Sequence, residues 1–204
     1  MKQKEIYIIG DLVFGAQVAE LAEELGYKIA GYVLMPEFMS SAGKLNWPIL
    51  EKMSDIPKGS NVALGHSSNR FRHTYTRKIY CGDWNMPNLI HPSAKVSPNA
   101  SMLKGCIIFE NVKIRSYTQL GRAVVVKEDA IIFGNVTIED ACTIGVRTII
   151  SEGVTIGYNT GIGSNVFINP SISIGIDAGI GNHSLVHRNV SNSQSFSGNA
   201  ANFS

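Results

Sequence analysis

A group that takes up a proton near neutral pH is most simply a histidine, and this chain has five: His66, His73, His91, His183 and His187. They are scattered. His66 follows the glycine that closes a predicted strand, His73 lies in a basic run, His91 lies in Leu89-Ile-His-Pro-Ser-Ala-Lys95, and His183 and His187 end a long repetitive stretch. A catalytic zinc site takes three protein ligands; no three histidines converge at this spacing, and no metal is expected. Carboxylates are the alternative base. Glu110, Glu128 and Glu152 share one position of a repeating unit, with Glu110 and Glu128 expected on the two faces that Glu152 does not occupy. Of the three cysteines, Cys81 is expected in a linker, without a histidine or aspartate partner that would make it a nucleophile. Cys106 and Cys142 share another repeat position 36 residues apart, which is two coils or about 9–10 Å, too far for a disulfide.

These positions take their meaning from the stretch Val96 to Val186. Every sixth residue from Val96 is aliphatic or Met, through Met102, Ile108, Ile114, Leu120 and Val126 to Val186, without a slip in phase. Four residues after each comes a small or β-branched one, such as Cys106, Val112, Thr118, Cys142, Thr148 or Ala178. A period of six is neither helical nor that of an alternating strand; it marks a parallel β-helix of hexapeptide repeats. With three hexads per coil, residues 18 apart share a face on neighbouring coils. Gly121, Gly145, Gly157, Gly163, Gly175 and Gly181 directly follow the aliphatic position, where a turn with φ > 0 is expected.

Before the repeat, Ile6-Tyr-Ile-Ile9 reads as a strand ending at Gly10. Ala16 to Leu25 reads as a helix with Val18, Leu21, Ala22 and Leu25 on one face, and Lys28 to Leu34 as a second strand. Strand, Gly10-to-Gly15 turn, helix and strand make a βαβ unit. Its helix N-terminus is either an anion site or a tight connection only, since the middle glycine of a dinucleotide fingerprint is absent. A short extended piece at Asn46-Trp-Pro-Ile-Leu50, a strand at Asn61 to Leu64 and a basic helix from Arg70 to Ile79 complete this part. Arg70 and Arg72 are candidates to meet a phosphate. The sequence therefore divides into 1–86, 87–190 and a Ser/Asn/Ala-rich tail, 191–204, expected to be a poorly ordered cap or strap. Net charge is +2 with both signs mixed, which gives no reason to expect nucleic acid or a membrane surface as partner. No apolar run approaches the roughly 20 residues that span a bilayer, and a cytoplasmic location is expected.

The βαβ unit, the Leu89-to-Ala94 start and the unbroken hexads resemble nucleotide-sugar acyltransferases of the sialic-acid and bacillosamine type, over nearly the whole chain. Asn46-Trp-Pro-Ile-Leu50 resembles their Gly-x-Pro-Val-Leu, and Gly65 to Arg72 their glycine, asparagine and arginine stretch. The resemblance implies a Rossmann-like N-terminal domain on a left-handed β-helix, against the usual right-handed crossover, and a homotrimer. It implies acetyl-CoA or another acyl-CoA as co-substrate and a nucleotide sugar as acceptor. Gly10, Phe14, Gly15, Gly65, His66, Asn69 and Arg70 match the nucleotide-sugar region, and Asn135, Gly163, Gly181, His183 and Arg188 the acyl-CoA path.

The sequence departs from this family where chemistry is done. The family's histidine base falls on Gly134, and a second family histidine on Thr143. Gly198-Asn-Ala-Ala-Asn202 replaces a C-terminal Gly-x-Pro-Ala-Lys. Glu152, 18 residues after Gly134 and so about 4.8 Å along the same face, is the first candidate to replace the base, and His183 the second. His91 reads as a brace of the first coil. Two readings follow: an acyltransferase with a different base, or a homologue that binds a nucleotide sugar or partner without catalysis.

Overall fold

The computed structural model describes residues 4–198. It forms two compact units, one up to Leu89 and one from Ile90 onward. No helix among the described residues is long and apolar enough to cross a membrane.

The first unit is a parallel sheet of β1 (Lys4–Gly10), β2 (Tyr27–Leu34), β3 (Ile49–Leu50) and β4 (Asn61–Gly65), in the order β3-β2-β1-β4. The helix α1 (Leu12–Glu24) connects β1 to β2, and α2 (Asn69–Cys81) follows β4. β1 is central and keeps Ile6, Ile8 and Ile9 fully buried, while α1 buries Phe14, Val18, Leu21 and Ala22 at helical spacing. α1 starts at Leu12, ahead of the expected Ala16, because Asp11 caps it: the Phe14 N–H donates to Asp11 Oδ1 at 2.8 Å. Phe14 and Gly15 thus belong to the first helical turn. The glycines serve close packing here. A Cβ on Gly15 would fall on the Tyr32 hydroxyl and 2.8 Å from the Gly65 carbonyl oxygen, and one on Gly65 would lie 2.6 Å from the Gly15 Cα.

The second unit is a coil of two-residue strands arranged as three parallel sheets of five, six and seven strands. Strands 18 residues apart pair in register: Leu120 with Ile138, Ile138 with Ile156, Ile156 with Ile174. The aliphatic positions from Ile108 to Val186 form one continuous buried core. The small position has a second duty when it carries a donor. Thr118, Thr148 and Thr160 are fully buried and donate to the carbonyls of Phe133, Gly163 and Gly175 at 2.7–2.8 Å. The Cys106 and Cys142 thiols do the same toward Gly121 and Gly157 at 3.1 Å. Each donor satisfies a corner carbonyl that would otherwise be buried unpaired.

Two sequence expectations are corrected by this unit. The left-handed turn residue lies three positions after the aliphatic one, at Asn111, Tyr117, Ala123, Asp129, Asn135 and onward every six residues, with Gly105 and Gly153 in the same series. Glycines directly after the aliphatic residue are needed for another reason, the close passage of the next coil: a Cβ on Gly163 would lie 2.7 Å from the Asn182 nitrogen, and one on Gly157 2.7 Å from the Ile176 nitrogen. The segment after Val190, expected to be a poorly ordered cap or strap, is over its described residues 191–198 a paired last turn. Ser195–Phe196 pairs with Gly179–Ile180, and Val190 bridges Ile174, so the last turn closes after 16 residues instead of 18. The C-terminal stretch compared with Gly-x-Pro-Ala-Lys lies, after Gly198, outside the described residues.

Candidate active site

The three corners of the coil are not alike. One of them, between the six- and five-strand sheets, carries a groove of about 850 Å³ lined by residues 95–97, 114–117 and 133–135 and by Glu152. Hexad spacing puts four coils on this corner. At Gly134 the wall is open, since an added Cβ would meet only the Ser116 carbonyl oxygen, at 3.1 Å. One coil on, the Gly153 N–H donates to the Gly134 carbonyl at 3.3 Å, which sets Glu152 beside that opening. Asn135 holds the left-handed conformation with φ 57° and is exposed on the groove, as is Tyr117 opposite it with φ 64°. Ser97 and Ser116 hydroxyls meet at 3.0 Å on the groove wall. The groove therefore offers one carboxylate, an amide, hydroxyls, and two cations, Lys95 and Arg115. This set can take a proton, hold a carbonyl oxygen and attract an anion.

The other candidates on this unit stand elsewhere. His183 lies with Asn111, Asp129, Arg147 and Asn165 in the left-handed series of a different corner, where it is exposed with φ 58°. Gly163 and Gly181 share that corner by hexad position. Thr143 is half-buried on the strand Thr143–Ile144, away from the groove lining. Arg188 lies on the last coil, 6.0 Å over the Phe196 ring. Within one chain, then, Asn135 and Glu152 share a site that His183, Gly163, Gly181 and Arg188 do not line. Glu110 and Glu128 are 18 residues apart and so share one corner; the expectation that they occupy separate faces is wrong. His91 braces the first coil, with Nδ1 2.8 Å from Ser93 Oγ and Nε2 3.9 Å from Glu110.

In the first unit, the carboxyl ends of β1 and β4 meet at Gly10 and Gly65, and the Asp11 N–H donates to the Gly65 carbonyl at 3.0 Å. Ligands of open α/β sheets bind where neighbouring connections leave a strand end in opposite directions, and here that point is already furnished. Asp11 Oδ1 and Oδ2 accept from Phe14 N–H at 2.8 Å and Ser67 N–H at 2.7 Å. Burial works to raise its pKa, but these bonds and nearby His66 outweigh it and hold the carboxyl below its ordinary value. The α1 N-terminus, read as either an anion site or a tight connection only, is thus filled by the chain's own carboxylate. Gly10, Phe14, Gly15 and Gly65 are buried in helix–sheet packing.

His66 stacks on Phe71, and Phe71 on Tyr75, each at 4.0 Å. Its Nδ1 accepts the Ser68 N–H at 3.0 Å, so the ring proton sits on Nε2. Burial, and secondarily the Arg72 charge, depress its basicity against the pull of Asp11 and Glu37, and the ring stays neutral more readily than a free histidine. Arg72 is 1% exposed and its guanidinium ties down this loop, donating to the His66 and Ser67 carbonyls and to Asn69 Oδ1. It is committed to structure, which removes it as a phosphate ligand; Arg70 is exposed.

Sequence reasoning missed Lys95, Ser97, Arg115, Ser116 and Tyr117. The step of 18 that links Gly134 to Glu152, taken backward, would have reached Ser116. Among the described residues no cluster of histidine, cysteine and acidic side chains suits a metal ion.

No protein-family model matches the sequence, and no curated protein matches it. Solved structures do match in three dimensions. The acetyltransferase domain of PglB from Neisseria gonorrhoeae, in complex with acetyl coenzyme A, aligns with a TM-score of 0.88 at 21% identity over 97% of both chains. PerB from Caulobacter crescentus, in complex with CoA and GDP-perosamine, aligns at 0.86 and 22% identity over 95% of this chain and 94% of that one. This chain shares their fold. WeeI from Acinetobacter baumannii aligns at 0.71 and 13% identity, over 96% of this chain and 98% of that one. The likeness extends through both units, so the sequence resemblance holds at the level of architecture from end to end.

Proposed function

We propose that this chain transfers an acyl group from acetyl-CoA, or another acyl-CoA, to an amino or hydroxyl group of a nucleotide-activated sugar, in cytoplasmic synthesis of surface glycans. The observation that carries this is the groove at Gly134 and Glu152, in a fold shared over nearly the whole chain with proteins crystallised with CoA, acetyl-CoA and GDP-perosamine. Glu152 takes the proton of the attacking amine or hydroxyl as the new bond to the acyl carbon forms. Asn135 donates its side-chain amide to the carbonyl oxygen as charge gathers there, and the thiolate of CoA leaves and is protonated.

On this reading the first unit works as a Rossmann-like nucleotide domain, in which His66, Asn69 and Arg70 contact the acceptor. The Nε2–H of His66 supplies a neutral donor for it. The acyl-CoA runs along Asn135, Gly163, Gly181, His183 and Arg188. These residues occupy more than one corner of a single chain, so they serve one donor only when copies associate; this supports a homotrimer of left-handed coils.

The test is incubation with acetyl-CoA and UDP-, GDP- and dTDP-linked amino sugars, following free thiol. Release of CoA with one of them, slowed by about 10²-fold or more in Glu152→Gln, is the expected result. Absence of release with every sugar at high enzyme concentration sinks the reading.

A further inference from the structure

We infer that the cationic end of the groove, Lys95 and Arg115 with Lys113 behind them, is a diphosphate site. Lys95 and Lys113 stand directly opposite each other on neighbouring parallel strands, and Val96 opposite Ile114. Like charges in that relation repel. Arg115 leaves the same side of the strand as Lys113, two residues on. Lys95 and Arg115 line the groove and are exposed, while Lys113 is half-buried. Among the described residues none of the three has a carboxylate partner. The contrast with the rest of the coil is informative: Arg122 pairs with Asp140, Arg147 with Asp129, and Lys127 rests on the Phe109 ring. Three uncompensated cations are therefore held together at the mouth of a cavity that already contains a candidate base.

The second observation comes from the other unit. The helix N-terminus that would ordinarily receive a diphosphate is occupied by Asp11, whose two oxygens are bonded to Phe14 and Ser67 N–H groups. A second anion there would meet a charge of its own sign. A place of the opposite character among the described residues is the Lys95–Lys113–Arg115 cluster. A guanidinium fork beside two ammonium groups suits a group with two or more negative charges and several acceptor oxygens; a lone carboxylate would leave cations unmatched. Both co-substrates of the proposed reaction contain a diphosphate, and only in naming these two sources does the inference rest on that reading.

The experiment is calorimetric titration of the full chain with inorganic pyrophosphate, at two salt concentrations, for the unaltered protein, Lys95→Gln, Arg115→Gln and the double variant. The expected result is binding that weakens by about tenfold or more per substitution, as for a lost charge-assisted bond, with a shallower salt dependence in each variant. The thermal midpoint should be unchanged or higher, because Lys95→Gln relieves the repulsion with Lys113. Failure of pyrophosphate to bind, or unchanged affinity in the double variant, overturns the inference. Repeating the titration with UDP, GDP and acetyl-CoA separates the sources: a loss confined to the nucleoside diphosphates assigns the site to the acceptor, and one confined to acetyl-CoA assigns it to the donor. Binding needs no turnover, so a chain that binds pyrophosphate through Lys95 and Arg115 and yet acylates no sugar keeps this site while losing the proposed reaction.

Discussion

Gly134 and Glu152 stand one coil apart on a single corner, and exchange of side chains between them is a direct test of which position can hold a base. Gly134 has no positive φ, and its missing Cβ faces open groove apart from the Ser116 carbonyl, so Gly134→His should fold. If the groove is the site of acyl transfer, this substitution should raise turnover, and Glu152→Gln should lower it, by about 10²-fold or more, the usual worth of a general base; single-turnover thiol release measures both. At the other unit, Asp11 and His66 set the pH response. The Asp11 carboxyl is held below its ordinary value, so its stabilisation is present above about pH 4 and is lost as pH falls through the folded value. His66 is depressed as well, so folding is favoured above about pH 6.5 and weakens as pH drops below it. Urea midpoints measured against pH should thus decline in two stages, and Asp11→Asn should remove the lower one. Asp11 is not read as a helix cap from the sequence, because the helix is expected to start only at Ala16; its consequence for anion binding depends further on Ser67 arriving from the loop after β4.

At the scale of the element, the hexad does separate jobs at separate positions, and single substitutions tell them apart. Thr148→Val keeps the shape of the small position but leaves the Gly163 carbonyl without its 2.7 Å donor; a loss of about 1–3 kcal/mol is expected from chemical denaturation. Gly145→Ala should cost a similar amount for a different reason, since the added Cβ would fall on the Gly163 carbonyl group and 2.6 Å from Ser164 N. The period of six and the aliphatic core could be read from the sequence because burial demands one kind of side chain at one spacing. The left-handed positions could be read only in part. Asn111, Asn135, Asn159 and Asn165 are of a type that tolerates that conformation, but Ala141, Arg147 and His183 adopt it too, and nothing in their side chains marks them. The conspicuous glycines answer to the distance between coils instead. The groove's cations escaped for a related reason: Lys95 and Arg115 are ordinary surface residues until strand pairing sets them together.

At the scale of the whole molecule, the two units bury their thiols differently. Cys81 is exposed on α2, whereas Cys106 and Cys142 lie in the coil's core. Burial pushes the Cys106 thiol up to about 12. A thiol reagent should modify one cysteine of the native chain rapidly and the other two only on unfolding of the coil, which mass spectrometry can count. The same partition explains what could be read in advance. Architecture follows from repetition, which a single sequence displays in full, while a site follows from the few positions where repetition lapses, and a lapse does not announce its chemistry.

The 18-residue step between neighbouring coils makes the second unit behave as a dial as well as a column. Removal of one hexad between Gly134 and Glu152 would leave the pattern of core residues intact, yet every later residue would advance by one face. Tyr158 would then arrive where Glu152 stands, and the groove would lose its carboxylate with no residue beside it replaced. Removal of a full coil would shorten the column and keep each corner's alignment. Changes in length by eighteen residues are therefore neutral to the site's orientation, and changes by six are switches of its chemistry.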